Sequence, residues 1–177
     1  MIYGKLTGLR AVERRDLELL RNWRNNEELR RNFREVKELN IDQQKAWFEN
    51  ICIDNSTNYM FIIENLEKEK PIGAGGLLNI NWIIRSAEFS FYIGENNEYI
   101  DEKGYAEDAT ELLINYGFND LNLHKIWMEL YDFDSKKLSF FKEKFNFIVE
   151  GKLRDNCLLN GKYCNSYIIS LINESDK

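Results

Sequence analysis

The stretch AEFSFYIGENNEYIDEKGYAEDATELLINYGF, residues 87–118, decides the fold. Residues 87–93 are typical of a strand, and a polar connection follows them. Residues 104–118 then read as a helix, in which Ala106, Ala109 and Leu113 recur at intervals of three and four. The segment therefore predicts a strand that is joined by a polar loop to the clearest helix in the chain.

The start of this helix suits a phosphate group. The first turn of a helix presents unpaired backbone N–H groups and the positive end of the helix dipole. Gly104 and the small Ala106 would let a diphosphate approach the backbone, which larger side chains would block. Most glycines at such a position only form the turn, so this feature alone leaves both interpretations open.

The elements on either side complete a mixed architecture. Further strands are predicted over residues 6–12, 59–63, 72–82, 124–131 and around 147–153. Further helices are predicted from Asp16, within residues 21–33, from an N-cap at Asp42, and from 135 to about 144. A closing hairpin turns at Asn160-Gly161, a pair that suits a type I′ turn. The order β-ααα-βββ-α-β-α-ββ indicates an α/β (α+β) fold with a mixed sheet and helices on both faces.

Composition excludes several functional classes. The 177 residues fit a single domain, 1–177, and 44% hydrophobic with 31% charged residues is typical of a soluble globular protein. The net charge of −6 argues against nucleic-acid binding, because neutralising phosphates requires a basic face. No apolar run approaches the roughly 20 residues that span a bilayer. The start of the chain lacks the layout of a secretory signal, so we expect no membrane association and a cytoplasmic location.

The few cysteines and the single histidine limit the chemistry further. A structural zinc site needs four Cys or His ligands at close spacing, so we expect no metal. His124 lies in an apolar, strand-like run, which favours a structural or surface role. If Asn160-Gly161 forms a two-residue turn, Cys157 faces Cys164 at a Cα separation of about 5.5 Å. In a reducing cytosol we expect both to be free thiols.

Several segments occur in an order that carries a family resemblance. LRAVERRDLELLRNWRN opens the chain, PIGAGGLLNINW and RSAEFSFYIG form a central hairpin, and DEKGYAEDATELLINYGF follows. LNLHKIWMELYDFDSKK, FNFIVEGKLRD and NGKYCNSYIISL complete the set. Over nearly its whole length the chain resembles the GNAT acetyltransferases, and within them the RimJ/RimL-like branch that also holds the spermidine acetyltransferases. The resemblance implies a mostly antiparallel GNAT-like sheet and an N-acetyltransferase that uses acetyl-CoA as acetyl donor.

The resemblance also implies where the donor binds. The backbone at residues 91–93 would pair with the pantetheine arm and polarise the thioester carbonyl, and the amides of residues 102–106 would hold the pyrophosphate. The expected cofactor-binding residues are Phe91, Tyr92, Ile93, Glu102, Lys103, Gly104, Tyr105, Ala106 and Ser135. Asp101 stands where the family has Arg or Gln, and its carboxylate would repel phosphate, with only Lys103 as an offset.

Glu88 is the candidate catalytic base, which would take a proton from the attacking amine. Strand alternation places Glu88 on the face opposite to Phe89 and Phe91. The alternative is that Glu88 only pairs with a cation such as Arg85. The family's tyrosine acid falls at Phe141 or Lys142 here, so a lysine, a water or another residue protonates the sulfur, or the step needs no acid.

The acceptor is implied to be a primary amine, namely a polyamine, an amino sugar or a protein N-terminus. The resemblance places it against the early helices, where Trp23, Arg24 and Glu28, with Asn25 and Arg31, could line the site. The alternative is that Trp23 belongs to the core and the others form a solvated helix face. A non-catalytic acyl-CoA-binding or protein-interaction module is the rival function. A homodimer through the edge of the closing hairpin is also expected.

Overall fold

The structure is a computed structural model that describes residues 1–33, 37–53 and 55–174, which form eight strands and five α-helices. The strands are β1 (Ile2–Tyr3), β2 (Thr7–Ala11), β3 (Tyr59–Asn65), β4 (Lys70–Asn81), β5 (Ser86–Ile93), β6 (Lys125–Tyr131), β7 (Ile148–Leu159) and β8 (Lys162–Ile172). The helices are α1 (Leu17–Asn25), α2 (Glu27–Arg30), α3 (Ile41–Phe48), α4 (Tyr105–Asn115) and α5 (Ser135–Phe145).

All eight strands belong to one sheet, in the order β1-β2-β3-β4-β5-β6-β8-β7. Every neighbouring pair is antiparallel except β5 and β6, which run parallel. Because parallel neighbours need a crossover connection, the chain between β5 and β6 leaves the sheet to form α4. The predicted mixed, mostly antiparallel sheet is confirmed.

Strand β5 separates two packed layers. Phe89 and Phe91 contact Phe141 of α5, with ring centroids 5.4 and 6.3 Å apart. Tyr92, on the other face of the strand, meets Trp23 of α1 at 6.1 Å. Successive side chains of a strand point to opposite faces, so α1 and α5 lie on opposite faces of the sheet. Helices on both faces were the sequence prediction.

The beginning of the third helix differs from the prediction. Asn40, not Asp42, is the N-cap of α3: its side chain accepts a hydrogen bond from the Gln43 backbone N–H, and the Gln43 side chain accepts one from the Asn40 N–H, each 2.9 Å long. This reciprocal pair satisfies two otherwise unpaired N–H groups. Asp42 therefore lies inside the helix, where its carboxylate pairs with Lys45 at 3.2 Å.

The closing hairpin is longer than the sequence indicated. Asn160 and Gly161 have φ angles of 50° and 75°, as a type I′ turn requires, and Cys157 pairs in register with Cys164. All three cysteines are free thiols. β7 extends from Ile148 to Leu159, beyond the predicted strand around 147–153. The short β1 was not predicted, because two residues carry no detectable periodicity.

Candidate active site

β5 and β6 part after a short parallel pairing. The register joins Ser86–Glu88 to residues 125–127, and beyond that point β5 continues to Ile93 and β6 to Tyr131. A cavity of about 510 Å³ opens beside the two strands. Its lining includes Glu88, Phe89, Ser90, Phe91 and Tyr92 of β5, Met128 and Glu129 of β6, and Arg24, Phe33, Trp47, Tyr99 and Lys137 from the surrounding elements.

The backbone of β5 offers few groups to this gap. The Gly94 N–H donates to the Ile72 carbonyl on the β4 side, so by alternation the Tyr92 N–H faces β4 as well. Ile93 faces the other side, but its N–H donates to the Tyr99 carbonyl and its carbonyl accepts from the Tyr99 N–H, both at 3.0 Å. Of the three residues expected to pair with pantetheine, Phe91 is therefore the one directed to the gap.

Glu88 reaches the cavity with a defined partner. The Asn79 side-chain amide donates a 2.8 Å hydrogen bond to its Oε2 atom. Arg85, the cation considered as its alternative partner, directs Nη1 to the Asn122 carbonyl at 3.3 Å. The carboxylate is thus oriented by a neutral amide at the wall of the cavity.

Tyr99 and Lys137 form a second polar group in the cavity. The Lys137 Nζ atom donates a 2.5 Å hydrogen bond to the Tyr99 hydroxyl and lies 4.8 Å from the centroid of its ring. Burial of Tyr99, reinforced by the negative charge of Asp134, raises the pKa of the phenol above its ordinary value. The phenol therefore keeps its proton and remains a hydrogen-bond donor near neutral pH.

A carboxylate covers the N-terminus of α4. Asp101 Oδ2 accepts hydrogen bonds from the backbone N–H groups of Lys103 and Tyr105, at 2.7 and 3.0 Å, and Oδ1 accepts one from Ala106 at 2.6 Å. Gly104 makes the turn into the helix with a φ of 92°, a conformation that favours glycine. Three of the amides expected to hold a pyrophosphate are therefore bound to Asp101.

The early helices contribute one of the three expected acceptor residues to the cavity lining. Arg24 lies over the ring of Phe33 at 4.3 Å and lines the cavity. Trp23 packs against Gly94, where a Cβ atom would collide with the indole, so it belongs with the core. Glu28 is exposed at the start of α2. Asn25 instead bonds both backbone groups of Leu39, at 2.8 Å each.

Ser135 is the exposed first residue of α5 and falls outside the cavity lining.

Three residues line the cavity although no sequence motif marked them: Glu129, Tyr99 and Lys137. Glu129 accepts hydrogen bonds from Ser166 and Asn156, which come from the closing hairpin. These side chains come together because segments that are distant in the sequence pair in the fold, so no local sequence pattern predicts them.

The part of the chain that the structure describes contains neither a metal-binding cluster nor a membrane-spanning helix. Within 1–33, 37–53 and 55–174, no group of three or more His, Cys, Asp or Glu side chains is arranged to hold a metal ion. Over the same ranges, no helix is long and apolar enough to span a membrane.

The sequence and the fold both match known acetyltransferases. The Acetyltransferase (GNAT) domain family matches residues 7–140. The spermidine N(1)-acetyltransferase of Vibrio cholerae is 32% identical over 155 residues, covering 88% of this chain and 86% of that protein. The enzyme of the same name from Escherichia coli K12 is 33% identical over 159 residues, covering 89% and 81%. The crystal structure of the Vibrio cholerae spermidine N-acetyltransferase with CoA and spermine superimposes with a TM-score of 0.86 at 28% identity, covering 94% of this chain and 95% of that one.

Proposed function

This chain belongs to the GNAT acetyltransferase family and transfers an acetyl group from acetyl-CoA to an amine, and from that premise we propose that the acceptor is a polyamine. Two related enzymes, from Vibrio cholerae and Escherichia coli, act on spermidine, and the alignment with each covers more than four fifths of both chains. The observation that carries the proposal is a cavity that places two carboxylates, Glu88 and Glu129, among aromatic side chains.

The gap between β5 and β6 is the proposed site of the acyl-pantetheine arm. The Phe91 backbone faces this gap, while Phe89, Phe91 and Met128 supply apolar walls. Bound acetyl-CoA would supply an activated acetyl group there. The Phe91 N–H is the backbone donor placed to stabilise negative charge on the acyl oxygen during attack by the amine. The amides of residues 102–106 were expected to hold the pyrophosphate, outside this gap, and Ser135 also lies outside the cavity lining.

Glu88 is the proposed base. An alkylammonium must lose a proton before it attacks, and a carboxylate at the cavity wall can accept that proton. The Asn79 amide holds the carboxylate in place without neutralising its charge. The same acidic group attracts the cationic acceptor, so binding and deprotonation use one residue.

Tyr99 is the proposed acid for the departing thiolate. Its hydroxyl accepts a hydrogen bond from the Lys137 ammonium, so its own proton is available to the cavity. Burial opposes formation of a phenolate by that transfer, and the adjacent Lys137 ammonium would offset part of this cost. This pair takes the role for which α5 supplies no tyrosine, since Phe141 is buried and Lys142 is exposed.

A polyamine carries more than one amine, which suits a cavity lined by two carboxylates. One amine would be placed at Glu88 for reaction, and a second, still protonated, would be held by the Glu129 carboxylate. Aromatic rings such as Trp47 and Phe33 favour the aliphatic links and the cationic amines of a polyamine. Arg24 lies on the α1 side of the same cavity. Its positive charge would repel a further protonated amine, so the cationic acceptor would bind away from it.

Initial rates with spermidine, glucosamine and a short peptide with a free N-terminus test the proposal. We expect spermidine to have the highest kcat/KM, and Glu129→Gln to lower it more for spermidine than for glucosamine. A preference for the sugar or the peptide would contradict the polyamine assignment. Absence of turnover with all amines would favour the non-catalytic acyl-CoA-binding or interaction module.

A homodimer through β7 is also proposed. β7 is a sheet edge of 12 residues, nearly all of them exposed. It presents Ile148, Val149, Leu153 and Leu158 to solvent at 70, 37, 40 and 60% exposure. A long apolar edge strand is a template for pairing with another chain.

The remaining proposals are a single domain over 1–177, membership of the RimJ/RimL-like branch, a cytoplasmic location, and independence of metals, nucleic acids and membranes.

A further inference from the structure

The N-terminus of α4 is filled by the protein's own anion. We infer that Asp101 sets donor selection: it occupies the amides that would otherwise bind the diphosphate, so donor affinity rests on the acyl-pantetheine arm and the diphosphate adds little. The inference rests on the proposed donor site between β5 and β6.

The hydrogen bonds of Asp101 leave little room for a second anion. Both carboxylate oxygens are engaged, with three backbone N–H groups at 2.6 to 3.0 Å. The residue is only 8% exposed, so the contact is part of the packed structure. A phosphate oxygen could reach the Tyr105 or Ala106 amide only by displacing this carboxylate, which would then lose three charge-assisted hydrogen bonds.

The charged side chains around Asp101 also disfavour binding of the donor's diphosphate. A cavity of about 500 Å³ beside Asp101 is lined by three carboxylates, of Glu98, Asp101 and Glu102, and by two ammonium groups, of Lys103 and Lys136. The sum of these charges, −3 + 2, is −1. Lys136 also donates a 2.8 Å hydrogen bond to the Ile100 carbonyl, which directs its charge to the backbone of the loop.

Removal of the charge at position 101 should therefore strengthen binding of the diphosphate selectively. Asp101→Asn keeps a side-chain oxygen that can accept from the helix amides, and asparagine is itself a favourable capping residue. The substitution removes the repulsion between two anions at the same amides. A donor fragment without phosphates gains nothing from the change, since it does not reach the helix.

The experiment is isothermal titration calorimetry with CoA and with pantetheine, which lacks the diphosphate, on the wild type, Asp101→Asn and Glu98→Gln. The measured quantity is the ratio of the pantetheine Kd to the CoA Kd. We expect a wild-type ratio below about tenfold, and a rise of about tenfold or more in Asp101→Asn, since removing a unit charge a few ångströms from an anion has that order of effect. Glu98→Gln removes an equal charge from the same cavity and should change the ratio less.

Two results would overturn the inference: a wild-type ratio far above tenfold, or the same ratio in both Asp101→Asn and Asp101→Ala as in the wild type. Thermal unfolding of each variant checks that the helix remains intact, and Asp101→Ala separates loss of charge from loss of the cap. Because binding is measured without an acceptor, failure of acetyl transfer would count against the proposed function alone. If acetyl transfer failed, a change in the ratio of the two Kd values in Asp101→Asn would still support the inference about the donor.

Discussion

The Thr7 hydroxyl donates a 2.6 Å hydrogen bond to the Asp108 carboxylate, which ties β2 to the first turns of α4. The same carboxylate accepts from the backbone N–H groups of Lys5, Leu6 and Thr7 at 2.8 to 3.1 Å. Burial opposes ionisation of Asp108, but the hydrogen bonds from Thr7, Lys5 and Leu6 outweigh it and lower the pKa below its ordinary value. Helix α4, whose first backbone amides bind Asp101, is thereby anchored to the sheet.

Asp108→Asn should lower the free energy of unfolding by about 2 to 3 kcal/mol near neutral pH, because hydrogen bonds to a charged acceptor are lost. The lowered pKa means that this stabilisation is complete above the ordinary carboxyl pKa and is lost as the pH falls through the folded-state pKa. The wild type should therefore lose its advantage over the variant below about pH 4. Urea denaturation at several pH values measures the difference, with the exposed Glu111→Gln as the matched control on the same helix. A difference in the free energy of unfolding that persists unchanged at low pH would contradict this role of Asp108.

Glu88→Gln should reduce kcat by about 10² to 10⁴ at neutral pH, the range typical of a lost general base. The Kd of acetyl-CoA should be unchanged, because the carboxylate faces the acceptor. The defect should shrink as the pH rises and the amine loses its proton without assistance. Steady-state pH profiles measure this trend. A uniform defect at every pH would instead indicate that Glu88 only binds the acceptor.

Tyr99→Phe should lower kcat by about 10- to 100-fold and leave the KM for acetyl-CoA unchanged, because only the proton donor is removed. The backbone bridge to Ile93 does not depend on the hydroxyl. Tyr92→Phe is the matched control, since it removes the hydroxyl of another buried tyrosine in the same cavity. Stopped-flow measurement of thiol release gives the rates. Equal losses in the two variants, or none in Tyr99→Phe, would exclude the proposed acid.

Leu158→Lys combined with Ile148→Lys should convert the protein from a dimer to a monomer, because charges on β7 prevent edge-to-edge pairing. Light scattering after size-exclusion chromatography measures the mass. Ile83→Lys is the control, since Ile83 is 94% exposed in the connection between β4 and β5 and lies away from β7. A monomeric wild type, or a dimer that survives the double substitution, would refute this interface.

Features encoded over a few neighbouring residues were predictable from the sequence. The alternation in β5 predicted that Phe89 and Phe91 lie on one face and Tyr92 on the other, which the contacts with Phe141 and Trp23 confirm. The Asn160-Gly161 turn was likewise predictable, since few residue pairs tolerate two positive φ angles. The N-cap of α3 was not, because Asn40 and Asp42 have similar intrinsic capping preferences and the reciprocal contact with Gln43 selected between them.

By itself, the sequence determined the mixed sheet and the order of the elements after the short β1, because periodicity and turn chemistry are local and survive in a linear pattern. The family followed from the resemblance of several segments in their order along the chain. Only the tertiary structure decided which side chains meet. Tyr99 joins Lys137 across 38 residues, and Glu129 joins Ser166 across 37. The turn at Gly104 brings the Asp101 carboxylate back onto the helix amides, where the sequence had suggested only a charge nearby. Such contacts depend on how the backbone folds in space, which no spacing along the chain encodes.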